Sequence, residues 1–162
     1  MGKLYLFLVL LLAQFFCGSA LQCQQLTVQT EPGKQVVLGR ADLEALPRVK
    51  VNVADHASVP AIFEGVTLKS VLEKAGVSFG ESMKGKRLAD CLLVEAADGY
   101  RVVIALPETD PAFTDKQILL AFLRDGKPLG EKEGPYRIVI PDEKRMARWV
   151  RQVTALKIVN GQ

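Results

Sequence analysis

Apolar and polar positions alternate in short stretches along most of the chain. Leu26 to Thr30 alternates, Pro32-Gly33 turns the chain, and Gln35 to Leu38 returns, which predicts a hairpin. Val49, Val51 and Val53 alternate with Lys50 and Asn52, the period of a half-buried strand. Cys91 to Ala96 and Arg101 to Ala105 flank Asp98-Gly99 and form a second expected hairpin. Gln117 to Leu123 is an apolar run that ends at the turn Asp125-Gly126. Tyr136 to Ile140 is an alternating strand, and the segment Val150 to Val159 ends in another.

Helical spacing is scarcer. Leu68, Val71, Leu72 and Ala75 fall at i, i+3, i+4 and i+7, with Thr67 placed to cap and Gly76 to terminate. Ala41 to Leu46 is a short helical turn ended by Pro47, and Phe79 to Arg87 reads as a surface loop. Hairpins outnumber long crossovers. The expected class is therefore α+β, a mixed sheet of short strands with two or three short helices, not a doubly wound sheet.

The amino terminus departs from this pattern. Lys3 precedes an unbroken apolar run from Leu4 to Ala13, and the small residues Gly18, Ser19 and Ala20 follow. This is the layout of a secretory signal cleaved near Ala20, leaving residues 21–162 as one domain and implying a periplasmic or secreted protein. An uncleaved signal would be the only contact with a membrane. Gln14, Gly18, Ser19 and the polar stretch from Gln22 interrupt the run short of the roughly 20 apolar residues a spanning helix needs. After export the chain keeps Cys23 and Cys91, which either pair or leave Cys91 as a small core hydrophobe.

Composition narrows the function. The chain has 162 residues, 49% hydrophobic and 24% charged, and its formal charge is +3. That balance supports a folded core and argues against a protein devoted to nucleic-acid phosphates. One histidine and three cysteines exclude a zinc ribbon or a multi-histidine cage within one chain. No serine stands in a G-x-S-x-G context, and phosphate-binding loops of the G-x-x-x-x-G-K-[ST] type are absent.

Candidate chemistry gathers late in the sequence. Between Pro141 and Lys157, Lys144, Arg145, Arg148, Arg151 and Lys157 face only Asp142 and Glu143. The cluster is either an anion site, since arginine grips oxyanions in a fork, or the solvated face of a helix with the acids in its first turn. Trp149, the single tryptophan, is expected in the core with its N–H satisfied. Asp55-His56 follows the Val49–Val53 strand, and Tyr100 follows the Asp98-Gly99 turn; both are candidate ligand contacts. Glu108 and Asp110 resemble a carboxylate pair but read more simply as a short capped turn.

The order of these segments resembles a known family. Phe63-Glu-Gly-Val-Thr-Leu-Lys-Ser-Val-Leu-Glu-Lys-Ala-Gly76 is similar to the W/F-x-G-x-x-L-x-x-(V/L)-L-x-x-A-G helix of the sulfite oxidase-like molybdopterin-binding domain. Asp98-Gly-Tyr100, the run from Ile118 to Ala121 with Asp125-Gly-Lys-Pro-Leu129, Glu133 to Pro141 and Arg148-Trp149-Val150 resemble its later elements in the same order. The resemblance implies an α+β domain and molybdopterin as a possible cofactor. In larger relatives a cysteine thiolate before the first helix holds the metal, as a soft ligand suits. Here that stretch runs from Val49 to His56 with no cysteine, and the best match is Val53 or a near neighbour. The family's cofactor-contacting lysine matches Arg148.

Two functions follow from this resemblance. The first is a stand-alone exported binding or accessory module that holds a small anionic ligand or a pterin through Arg148, Lys144, Arg145, His56, Asp55 and Tyr100, with an exported protein as a further possible partner. The second is an active molybdopterin-dependent oxidoreductase with unusual metal ligation.

Overall fold

The period-two stretches pair into two sheets in the computed structural model, which describes residues 25–54, 59–141 and 143–161. The signal-like segment, Cys23, Asp55, His56 and Asp142 lie outside the described residues.

The first sheet has the order β2-β1-β10-β5-β6, formed by β1 (Leu26–Glu31), β2 (Lys34–Leu38), β5 (Cys91–Ala96), β6 (Arg101–Ala105) and β10 (Val153–Val159). The two hairpins expected from sequence are its wings, with Leu26 opposite Leu38 and Leu92 opposite Ile104. β10 is inserted between them, parallel to β1 and antiparallel to β5. One parallel pair among antiparallel ones makes the sheet mixed, as the expected class requires. Leu26, Val28, Leu92, Val94, Ile104 and Leu156 are buried, and their odd-position neighbours on β5 are half-exposed.

The second sheet runs β3-β4-β7-β8, with β9 also on β7; it contains β3 (Arg48–Ala54), β4 (Pro60–Thr67), β7 (Leu119–Arg124), β8 (Lys127–Pro128) and β9 (Arg137–Val139). β3 is an edge strand, and its alternating exposure matches its alternating sequence. β4 and β7 are internal. Phe63 to Val66 and Leu119 to Phe122 are buried without a break, because both faces of these strands are covered. Period two is lost where two faces are buried, so β4 is not legible from alternation. The Phe63–Gly76 motif is therefore half strand; its helix is α2 (Leu68–Lys74), following the shorter α1 (Arg40–Glu44).

α2 begins as its sequence predicts. The Thr67 hydroxyl accepts from the Ser70 amide, and Leu68, Val71 and Leu72 face inward. Gly76 ends it at φ +97°, a conformation that other residues resist. The Leu68 amide donates to the Ile118 carbonyl at 2.8 Å, fixing the helix start to the segment that leads into β7. α1 packs against β4 and places the Arg40 guanidinium 4.2 Å from the ring centre of the buried Phe122 on β7. The expected surface loop from Phe79 to Arg87 is organised: it carries 3₁₀ turns at Gly80–Ser82 and Gly85–Ala89, and Arg87 ties it together through Ser78 and Ser82. Cys91 is half-buried, not sequestered in the core.

The closing segment joins the sheets. Val150 accepts from the Ile138 amide, Val153 donates to Tyr136 and Gln152 donates to Glu133, so the chain leaves the second sheet hydrogen-bonded to it before entering the first as β10. The buried side chains of both sheets form one apolar cluster.

At Gly65 on β4, a Cβ would stand 2.1 Å from the Leu120 carbonyl oxygen of β7. Backbone cannot yield there as a flexible side chain would. Gly65→Ala is expected to cost about 1–3 kcal/mol or more by urea unfolding. Gly130→Ala, facing open space, is the matched control and should be close to neutral.

Candidate functional site

The basic cluster near the end of the chain is not a helix. Residues 143–152 form one 3₁₀ turn, Met146–Arg148, flanked by irregular backbone, which removes the helix-face reading. Two anchors set that turn. Trp149 is 3% exposed, donates its indole N–H to the Ile140 carbonyl at 2.9 Å, and meets the edge of Phe63 with ring centres 6.0 Å apart. Tyr100, reaching across from the tip of the β5–β6 hairpin, donates its hydroxyl to the Ala147 carbonyl at 2.8 Å. Asp98 accepts the Tyr100 amide, as its turn position predicts. The tryptophan is thus a core residue, and Tyr100 is a half-exposed brace beside a cavity of about 290 Å³ that it shares with Trp149, Lys132 and Arg151.

From this turn Arg148 enters a separate open groove of about 450 Å³, lined by Lys116, Glu143, Lys144, Arg145 and Arg148. Three of the six residues singled out by sequence therefore share one site: Lys144, Arg145 and Arg148. Tyr100 sits on the neighbouring cavity, and Asp55 and His56 lie outside the described residues. Lys116 joins the groove from a segment 28 residues earlier than Lys144, and no local spacing announces it.

The groove is cationic but internally countered. Arg148 is held by Glu143, whose Oε1 accepts from Nε at 2.7 Å and also from Nη2. Glu108 Oε2 stands 3.6 Å from Arg148 Nη2 and 3.6 Å from Lys116 Nζ. Burial works against the Arg148 charge, but the Glu143 and Glu108 carboxylates outweigh it and raise its pKa above the ordinary arginine value.

Glu108 is itself placed by a built element. The expected capped turn is a 3₁₀ turn over Leu106–Thr109, in which the Thr109 hydroxyl donates to the Leu106 carbonyl and Leu106 is fully buried. Asp110, one residue on, is 1% exposed and accepts from the Gly80 and Ala112 amides and from Lys69 Nζ at 3.2 Å. Asp110 is therefore no partner to Glu108 in a catalytic pair. It is a buried tie between α2, the Gly80 turn and the segment that carries Glu108.

The family model for the oxidoreductase molybdopterin binding domain matches residues 21–162. The chain belongs to that family. Among solved structures, the sulfane dehydrogenase SoxCD from Paracoccus pantotrophus aligns with a TM-score of 0.63 at 21% identity, over 83% of this chain and 37% of that one. The likeness is one of fold, and the chain spans well under half the length of that protein. No curated protein matches it. The molybdopterin-binding fold inferred from the ordered motifs is the one the chain adopts, with mixed sheets of short strands and two α-helices among the described residues.

The described residues of this family member fit only part of a molybdopterin cofactor. Four cations around the groove suit an anionic group. Among the described residues no cluster of three His, Cys, Asp or Glu side chains forms, and Cys91 lies on β5 in the first sheet.

Burial opposes ionisation of the Asp110 carboxyl, but the Gly80 and Ala112 amides and the Lys69 ammonium more than offset it and hold its pKa below the ordinary value. A carboxyl depressed on folding stabilises the protein above its unfolded pKa, and that stability is lost as pH falls through the folded value. Asp110→Asn should cost about 1–3 kcal/mol at pH 7. It should also flatten the decline of stability below pH 4, measured by urea unfolding across an acid series.

Proposed function

We propose that this member of the molybdopterin-binding family is an exported binding or accessory module that holds a small anionic ligand, a pterin phosphate among the candidates, without performing molybdenum redox chemistry itself. The observation that carries this reading is the donor set. The stretch from Val49 to His56, which corresponds to the thiolate-bearing segment of larger relatives, contains no cysteine, and Val53 offers only an aliphatic side chain. The groove of Lys116, Lys144, Arg145 and Arg148 keeps the chemistry of oxyanion binding. Fold membership alone does not transfer activity, and the sulfane dehydrogenase name belongs to the longer protein. The leader-like segment before Ala20 supports an exported location.

The test uses protein purified from cells that make the cofactor. Molybdenum far below one atom per chain is expected, and a near-stoichiometric amount overturns the redox-silent reading in favour of an oxidoreductase with unusual ligation. The anion site is tested separately. Lys144→Glu with Arg145→Glu should abolish binding of inorganic phosphate measured by calorimetry, and unchanged binding rejects the groove. Both side chains are exposed, so stability should shift by less than about 0.5 kcal/mol per residue.

A further inference from the structure

The two carboxylates that face Arg148 are mounted differently. Glu108 belongs to a 3₁₀ turn pinned by the buried Leu106, by Thr109 and by the adjoining Asp110 tie. It bridges Arg148 and Lys116 and is held in place. Glu143 belongs to no helix or strand, and its backbone amide makes one long turn bond of 3.2 Å to the Ile140 carbonyl. Yet Glu143 makes the tighter contact, using one oxygen to accept from both Nε and Nη2 of the guanidinium. Its side chain is 13% exposed and that of Arg148 is 30%, so the pair is partly withdrawn from water and less screened than an open surface pair.

A carboxylate oxygen on Nε and Nη2 occupies the positions that an oxyanion ligand would take on an arginine fork. We propose that Glu143 is a built-in stand-in for the ligand's anion, and that the groove takes its ligand by displacement. The incoming oxyanion replaces Glu143 on Arg148, while Glu108 stays and keeps Arg148 and Lys116 in register. Glu143 thereby sets a threshold. An anion that holds Arg148 no better than this single-oxygen contact leaves the internal pair intact, whereas an oxyanion with geminal oxygens, able to take Nε and Nη2 on separate atoms, replaces it. Glu143 is then a specificity-determining residue, and this inference rests on the reading of the groove as an anion site.

Titration of the full chain with inorganic phosphate tests it, followed by calorimetry and by the fluorescence of Trp149, the only tryptophan and the neighbour of Arg148. Glu143→Gln should tighten phosphate binding at least tenfold, about 1.4 kcal/mol. The same substitution on an Arg148→Ala background should change affinity less than twofold, because the competition it relieves is gone. Glu143→Ala serves as a second variant, with circular dichroism to verify folding. If wild type binds phosphate and Glu143→Gln binds no tighter, the displacement proposal fails and the anion groove stands. An equal gain with and without Arg148 also sinks it, since the effect is then one of net charge. If neither wild type nor Glu143→Gln binds phosphate, the groove reading itself falls and the proposal goes with it.

Discussion

The guanidinium of Arg137 is 1% exposed, deep between the second sheet and the closing segment. A charge so placed is tolerated only where the fold surrounds it with compensating groups. Here Glu133 pairs with it, the Phe63 ring centre lies 5.0 Å from its central carbon, and the Trp149 ring lies at 5.5 Å. Phe63 comes from β4, Glu133 from the loop before β9 and Trp149 from the turn after the basic cluster. Satisfying one buried cation thus requires three separate chain segments to meet. Its neighbour Tyr136 is fully buried as well, and burial pushes its hydroxyl up to about 12 against the opposing pull of Arg40.

That requirement reaches the groove through Trp149. With its ring against Phe63 and its N–H on Ile140, Trp149 fixes one end of the 3₁₀ turn, and the Tyr100 hydroxyl on Ala147 fixes the middle. Arg148 therefore starts from a rigid base although its own side chain is partly exposed. On the opposite wall, the buried Asp110 tie does the same for Glu108 and for the segment leading to Lys116. The groove joins two well-anchored elements, and between them Glu143 is carried on backbone that belongs to no helix or strand. Rigid mounting of ligand contacts beside a replaceable internal partner is a suitable layout for binding, where pre-organisation lowers the ordering cost.

Membership of the molybdopterin-binding family explains the architecture without dictating the chemistry. The mixed sheets and the capped α2 are scaffold. What a member does depends on the side chains mounted on that scaffold. In this chain the groove has a basic lining, and the Glu143 carboxylate stands within it.

Most strands and both helices were legible from local pattern, because a strand covered on one face or a surface helix has one wet side and one dry one and writes that asymmetry into its sequence. The β1–β2 and β5–β6 hairpins, β3 and α2 are of this kind, and Thr67 and Gly76 marked the limits of α2 in advance. β4 was not legible, because both faces are buried from Phe63 to Val66 and alternation is lost there. The division into two sheets was not legible either, since it depends on β10 inserting beside β1. At the site, the sequence by itself determined which charges the last segment carries and that the stretch from Val49 to His56 holds no cysteine. Only the tertiary structure decided that Arg148 is already engaged, that Lys116 shares its groove and that Tyr100 is a brace. These are contacts between residues far apart along the chain, and local spacing holds no information about which distant side chain will arrive to neutralise a charge.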